Sequence, residues 1–400
     1  MKALSFTLVF FILCSLFSNA QDINLSLIIT DAEKQTQVML TEIVALKSVN
    51  NNPNLVSPRT LKNDSLKLVA ASDWTSGFFP GQLWFLYEFT GKKIWRTQAE
   101  LFTKNIESQQ YDKTSHDVGF KIYCSVGSGY RLTKNKYYKA VIMQAAATLS
   151  KRFNPITGTI KSWDNTKKWS YPTIIDNMMN LELLFEATKF SGDSSFYKIA
   201  VTHANNTMKN HFRNNYSSYH VVDYDTVNSG KIIKKTTHQG YADESAWARG
   251  QAWALYGFTL CYRETKNNEY LQQAEHIASY ILNNPNLPKD LIPYWDFNSP
   301  NIPNEPRDVS AATIIASALY ELSLYSQNKK YYTAKADTIL QSITSSYRSP
   351  IGFTKGFLLL HSTGSKPGNS EIDVPISYAD YYYLEALLRS KKITEKKFLF

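Results

Sequence analysis

Apolar positions along this chain recur far more often on the 3.6-residue period of an amphipathic helix than on the alternation of a strand. Leu181, Leu184, Phe185 and Thr188 follow the i, i+3, i+4, i+7 spacing, and Ile314, Ala318 and Leu322 recur in steps of four. Ala274, Ile277, Ala278 and Ile281 repeat the same period. Short polar turns separate such stretches, and an aromatic follows each turn: Thr90-Gly91-Lys92 before Trp95, Thr133-Lys134-Asn135 before Tyr137, Ser191-Gly192-Asp193 before Phe196, Thr265-Lys266-Asn267 before Tyr270, and Ser326-Gln327-Asn328 before Tyr331. Repetition of one unit marks a repeat architecture, and here the unit is a helical hairpin. First helices are predicted to begin near Phe79, Gly119, Asp176, Ala246, Ser310 and Ser377. Strand-like alternation is confined to places such as Tyr219 to Asp225.

These units predict an all-α fold, a barrel-like toroid of six hairpins with the first helices inside and the second outside. The stretch from Ser377 to Arg389 is as aromatic and apolar as the other units, whereas the end of an open solenoid should carry a polar cap. A closed ring also accounts for one domain at a length that would otherwise favour two. No linker or low-complexity tract divides the chain.

The N-terminus is read apart from the fold. Lys2 precedes an apolar run from Ala3 to Phe17, and Ser18-Asn19-Ala20 offers the small residues that a signal peptidase accepts. The run is too short to span a bilayer comfortably. Leu13 before Cys14 is too large for a lipoprotein signal. Residues 1–20 are expected to be removed, leaving residues 21–400 as a single barrel domain in the periplasm or outside the cell. Cys124 and Cys261 then remain, each in an apolar helical stretch, and are expected to be buried thiols. The formal charge of +10 favours polyanionic partners. Basic residues are dispersed in pairs such as Lys234-Lys235, without the dense block of a nucleic-acid tail, so an acidic saccharide fits better. Zinc-ligand spacing, a phosphate loop and a Gly-x-Ser-x-Gly elbow are all absent from the sequence, and neither metal nor cofactor is implied.

Polar and aromatic residues gather at the starts of the predicted inner helices, so ring closure would bring them to one mouth. Asp176, between Ile174-Ile175 and Met178-Met179, sits where desolvation would raise a carboxyl pKa and keep a proton near neutrality. An Asp at a helix start is as commonly a simple N-cap. Asp117 meets the same objection, although His116 beside it and Gly119 suggest a tight approach to a ligand. Two carboxyls on neighbouring hairpins are the usual apparatus of glycoside chemistry. Arg249, bracketed by Trp247 and Trp253, could hold a carboxylate in a forked pair while the indoles stack on sugar faces. His220 and the loop His238-Gln239-Gly240 are ordinary residues if taken alone.

Four segments carry a resemblance: His116-Asp117-Val118-Gly119-Phe120, Ile175-Asp176-Asn177-Met178-Met179-Asn180, Trp247-Ala248-Arg249-Gly250-Gln251-Ala252-Trp253, and Arg307-Asp308-Val309-Ser310-Ala311-Ala312. In this order they resemble the unsaturated glucuronyl hydrolases, family 88 of the glycoside hydrolases, from about Asp73 to Arg389. The resemblance implies an (α/α)6 barrel, Asp176 as general acid/base and Asp117 as the second essential carboxylate. It implies substrate contacts by Trp74, His116, Trp163, His220, Gln239, Trp247, Arg249 and Trp253. It also places Ser365 and Lys366, in the loop Gly364 to Asn369, near the carboxylate and any sulfate. The implied substrate is an acidic oligosaccharide whose terminal uronate has a 4,5 double bond left by a lyase, and the implied reaction hydrates that bond. An unsaturated rhamnogalacturonyl hydrolase, a non-catalytic binder of acidic carbohydrate and a nucleic-acid-binding solenoid remain the rival readings.

Overall fold

The computed structural model describes residues 24–50, 52–164, 167–227 and 229–397. The leader read in residues 1–20 lies outside them. Along the chain come α1 (Leu25–Val49), the ribbon β1 (Leu55–Lys62) and β2 (Ser65–Ala70), then α2 (Phe78–Thr90) and α3 (Lys93–Lys104). They are followed by α4 (Val118–Ile122), a π-helical turn over Tyr123–Gly127, α5 (Ser128–Thr133) and α6 (Lys136–Ser150). Short strands β3 (Phe153–Asn154), β4 (Thr159–Ile160) and β5 (Pro172–Ile174) lead to a 3-10 helix over Ile175–Asn180, α7 (Leu181–Ser191) and α8 (Ser194–Asn210). The last third holds β6 (Val221–Tyr224), β7 (Ile232–Thr236), α9 (Ala248–Thr265), α10 (Asn268–Leu282), α11 (Val309–Leu322), α12 (Lys329–Ser346) and α13 (Ser377–Thr394).

The inner ring runs α2, α4 to α5, the 3-10 helix with α7, α9, α11 and α13, and α13 packs back on α2. Closure is therefore observed, and the inner helices begin within a few residues of the predicted starts. Their burial explains the composition: α11 is buried on every face and α9 is buried from Ala248 to Cys261. Outside lie α3, α6, α8, α10 and α12, each following its inner partner. One principal apolar core runs between the shells.

The recurrent polar turn has a simple mechanism. Gly91, Lys134, Gly192 and Lys266 each end an inner helix in the left-handed conformation, with φ of 66°, 53°, 74° and 58°. Asn135, Asp193 and Asn267 then cap the outer helix by accepting from the backbone N–H two residues on. The aromatic that follows is buried at Trp95, Phe196 and Tyr270. In the other two units the register differs by one residue: Tyr137 and Tyr331 are exposed, and Tyr138 and Tyr332 enter the core instead.

The sixth pair departs from the predicted hairpin. Among the described residues no outer helix follows α13; α1, from the other end of the chain, packs instead against α2 and joins α3 and the segment 348–357. Gln35 donates to the carbonyls of Phe357 at 3.0 Å and Pro350 at 3.1 Å, while Glu33 accepts from the Trp95 indole at 2.6 Å. Asp31 pairs with Arg348 at 2.7 Å. Gly356, at φ 99°, lets the chain lie directly on α1, where a Cβ would strike the Met39 backbone. The alternation near Tyr219 proves to be β6, the middle strand of an antiparallel sheet β5-β6-β7. Cys124 and Cys261 are buried free thiols. Among the described residues no helix is long and apolar enough to cross a membrane.

Candidate active site

The starts of the inner helices converge on one end of the ring, and the two carboxyls come from adjacent elements there. Phe120 N–H donates to Asn180 Oδ1 at 2.9 Å, docking the start of α4 onto the 3-10 helix. Gly119 is needed at this contact, since a Cβ would meet the Asn180 side chain. The tight approach expected at Gly119 is thus made to Asn180 and not to a ligand.

Asp176 lies in the first turn of the 3-10 helix and does not cap it, which removes the bland reading of this residue. It is 8% exposed, and its Oδ2 has no hydrogen-bond partner. Burial pushes its carboxyl up to about 7; the charge of Arg249 opposes that shift and the charge of Asp117 adds to it. The His220 Nε2 stands 3.6 Å from Asp176 Oδ2. His220 Nδ1 accepts from the backbone N–H of His238 at 3.3 Å and of Gln239 at 3.1 Å, so the ring proton resides on Nε2 and points toward the acid. Burial, helped by the neighbouring His238 and Arg249, holds this imidazole well below its ordinary pKa, and it stays neutral. It is stacked on Trp247 at 4.4 Å.

Asp117 precedes α4 and makes no backbone cap. Ser115 Oγ donates to its Oδ2 at 2.5 Å, and His116 Nε2 lies 3.3 Å from its Oδ1. His116 is fully buried, and burial lowers its pKa against the pull of Asp117.

Arg249, in the first turn of α9, is almost completely buried. Its Nη1 donates to Asp308 Oδ2 at 2.8 Å and to the Thr363 carbonyl at 2.6 Å, and its Nη2 donates to the Gly364 carbonyl at 2.6 Å. Nε–H has no partner. That N–H and the second N–H of Nη2 lie on one edge of the guanidinium, leaving a two-pronged donor for a planar anion. The cation sits over Trp247 at 4.5 Å and Tyr378 at 5.3 Å.

Two aromatic groups complete the site. Trp74 contacts Phe120 at 5.6 Å and Tyr378 at 4.9 Å, and Phe120 in turn contacts Trp253 at 5.2 Å. Trp163 contacts His238 at 5.2 Å and His220 at 6.4 Å. Gln239 donates through Nε2 to Gly364 at 2.9 Å, sharing that carbonyl with Arg249. Ser365 and Lys366 follow on the same loop, but the Lys366 ammonium is paired with Glu305 and Ser365 Oγ accepts from Gly368 N–H.

Buried polar atoms without partners concentrate at this end: His116 Nε2, Asp176 Oδ2, His220 Nε2, Arg249 Nε, Trp253 Nε1 and Tyr378 Oη. Natural proteins rarely leave such atoms unsatisfied, and a cluster of them marks a place arranged for a ligand. Tyr378 was missed in the sequence because it opens a tyrosine-rich core helix. Asp308 lay in a recognised segment without an assigned role; it caps α11 through Ser310 and Ala311 and anchors Arg249. Arg59 was also missed: it joins Asp73 at 2.7 Å and Glu371 at 2.5 Å, tying the Trp74 segment to the Gly364 loop. Among the described residues no group of three or more His, Cys, Asp or Glu is placed to hold a metal ion.

The comparisons with known proteins can be set beside this geometry. No family model matches the chain. The unsaturated glucuronyl hydrolase of Formosa agariphila is 49% identical over 349 residues, which cover 87% of this chain and 86% of that protein. The unsaturated chondroitin disaccharide hydrolase of Streptococcus pyogenes is 32% identical over 87% of this chain and 90% of its own length. The crystal structure of an unsaturated glucuronyl hydrolase specific for heparin superposes with a TM-score of 0.88 at 45% identity, covering 93% of this chain and 98% of that one. With likeness of this extent, over a closed (α/α)6 ring, the chain belongs to the unsaturated glucuronyl hydrolases, a family of glycoside hydrolases.

Proposed function

We propose that Asp176 is the proton donor and Asp117 the assisting carboxylate in removing a 4,5-unsaturated uronate from glycosaminoglycan fragments. The observation that carries this reading is the buried Asp176 carboxyl, held to about 7, whose Oδ2 has no hydrogen-bond partner and faces a neutral His220. Protonated Asp176 gives its proton to carbon 4, and positive charge develops at carbon 5 and the ring oxygen. Water adds to carbon 5 and releases a proton to the Asp176 carboxylate, which restores the acid. The hemiketal opens between carbon 5 and the ring oxygen, and the hemiacetal formed at carbon 1 expels the rest of the saccharide. Asp117, oriented by Ser115 and His116, steers the water and stabilises the cation. The free edge of Arg249 takes the uronate carboxylate, Trp74, Trp163, Trp247 and Trp253 wall the sugar, and Gln239 fixes the loop above it. Ser365 and Lys366 meet the next sugar, with Lys366 exchanging Glu305 for a sulfate or carboxylate.

The glycosaminoglycan reading draws on the relatives: one acts on chondroitin disaccharides and a solved structure at 45% identity is specific for heparin. We place the mature chain, residues 21–400, outside the cytoplasm as one catalytic domain, so the exported protein should begin at Gln21. The test of the chemistry is turnover in deuterium oxide, which should leave deuterium at carbon 4 of the released product. Full turnover by Asp176→Asn would remove this residue from the reaction. Relative rates on sulfated and unsulfated unsaturated disaccharides of heparin and chondroitin type then decide the substrate.

A further inference from the structure

Toward the opposite end of the ring, where the inner helices finish, the barrel holds a partly open cavity of about 300 Å3. An aromatic partition separates it from the active end. Trp253 packs on Phe120 at 5.2 Å and on Tyr382 at 5.5 Å, and Phe120 and Tyr382 also line the cavity. The volume is that of a small-molecule pocket, and at the ~30 Å3 that each water occupies in the liquid it is far more than a packing defect.

The wall is built from ionic groups that answer one another. Arg263 pairs with Glu182, Glu264 and Glu321, and Arg389 pairs with Glu321 and Glu385. Arg131 pairs with Glu88 at the edge, and Lys189 with Glu264 at 2.8 Å. Buried pairs of this kind rarely stabilise a protein more than apolar side chains of the same volume would, so the fold alone does not call for them. Two hydroxyls in the wall are different. Neither the Tyr382 hydroxyl nor that of Tyr123 makes a hydrogen bond to another described residue, and neither oxygen is among the buried atoms without a partner, so both face the open space of the cavity they line. Tyr123 opens the π-helical turn that interrupts the inner helix beside the cavity. Single π turns inside α-helices are frequent at functional sites.

The lining sets Arg131, Lys134, Lys189, Arg263 and Arg389 against Glu182, Glu186, Glu264 and Glu385, so an entering ion of either sign meets like charge as well as opposite charge. The lining also offers unpaired phenols, carboxylate oxygens and the faces of Phe85 and Tyr381, which suit a compact molecule with hydroxyls on its edge and C–H groups on its face. We infer that this cavity is a second binding site, for a neutral monosaccharide of the hexose or N-acetylhexosamine class. The inference goes beyond the reading of the active end and stands whether or not Asp176 is the proton donor.

The test titrates the full chain with glucose and with N-acetylglucosamine, followed by saturation-transfer NMR and by the fluorescence of the tryptophans that include Trp253. Saturable binding is expected for at least one sugar, weakened about fivefold by each of Tyr382→Phe and Tyr123→Phe through loss of one neutral hydrogen bond. Leu388→Trp, which fills the cavity, should abolish it, and Asp117→Asn at the active end should leave it unchanged. If Leu388→Trp does not fold, the two Tyr→Phe variants decide the matter. Absence of saturable binding to both sugars overturns the inference. So does binding that survives the Tyr382→Phe/Tyr123→Phe double variant and is displaced by glucuronic acid, because that sugar would sit at the active end.

Discussion

The two ends of the barrel use polar groups in opposite ways. Where the inner helices begin, Asp176, His220, Trp253 and Tyr378 hold buried polar atoms that nothing in the protein satisfies. Where they finish, Arg263 and Arg389 are surrounded by Glu182, Glu264, Glu321 and Glu385, and charge meets charge. The same six inner helices contribute to both ends, but the first end also takes Trp163, His220, Gln239 and the Gly364 carbonyl from the segments between them. Unsatisfied atoms cost stability and await a ligand; matched ones hold position and resist substitution. Chemistry should therefore respond to changes at the first end and stability to changes at the second.

The largest effect should come from Asp176→Asn, with turnover falling by about 10²–10⁴-fold, read from the ultraviolet absorbance of the conjugated uronate. The same variant should melt higher at alkaline pH. The folded carboxyl titrates at about 7 and an unfolded one near 3.8. Below about pH 4 both states keep the proton, and the aspartate carries no penalty. As pH rises through that window the unfolded chain ionises first, and above about pH 7 the full penalty of up to about 4 kcal/mol is present. The stabilisation by Asn should accordingly vanish near pH 4, and wild-type activity should decline as pH rises through about 7.

Next in size, Arg263→Met at the far end should lower unfolding free energy by about 3–5 kcal/mol, measured in denaturant, while KM of the folded enzyme stays unchanged. A rise in KM would mean that the two ends are coupled. Arg249→Lys keeps the charge but cannot reach Asp308, two carbonyls and a ligand together; binding should weaken by about 1.5–3 kcal/mol, seen in KM. The smallest change is Asn267→Ala, which removes the cap of α10 and should cost about 1 kcal/mol in a thermal melt with no kinetic effect.

Much of this division was legible in the chain. Some of the turn residues announce their own geometry, because Gly91 and Gly192 suit a left-handed C-terminal residue and Asn135, Asp193 and Asn267 suit a cap, whereas Lys134 and Lys266 take the left-handed conformation with no such preference. Asp176 stands out in the sequence by its apolar setting, and burial is what raises its pKa in the fold. Other features depend on partners remote in sequence. Nothing local marks α1 as the helix that joins α2 and α3 to the segment 348–357, and Tyr378 reads as one more core aromatic until Arg249 and Trp74 are seen against it. The pairing of Lys366 with Glu305, 61 residues away, is invisible in the local sequence. Periodicity likewise shows which helices are inside, but not that their far ends would hold a partly open cavity walled by ion pairs.

Closing the ring by packing α13 on α2 also governs how the molecule comes into being. Five of the six pairs can assemble as they are made, since each joins neighbours in sequence. The ring waits until α13 is complete at Thr394, and only then can the seam between α13 and α2 be sealed. Until that moment the apolar flanks of α2 and α13 are open to other chains, and crowding of half-made copies rather than any weakness of the finished ring is where yield should be lost.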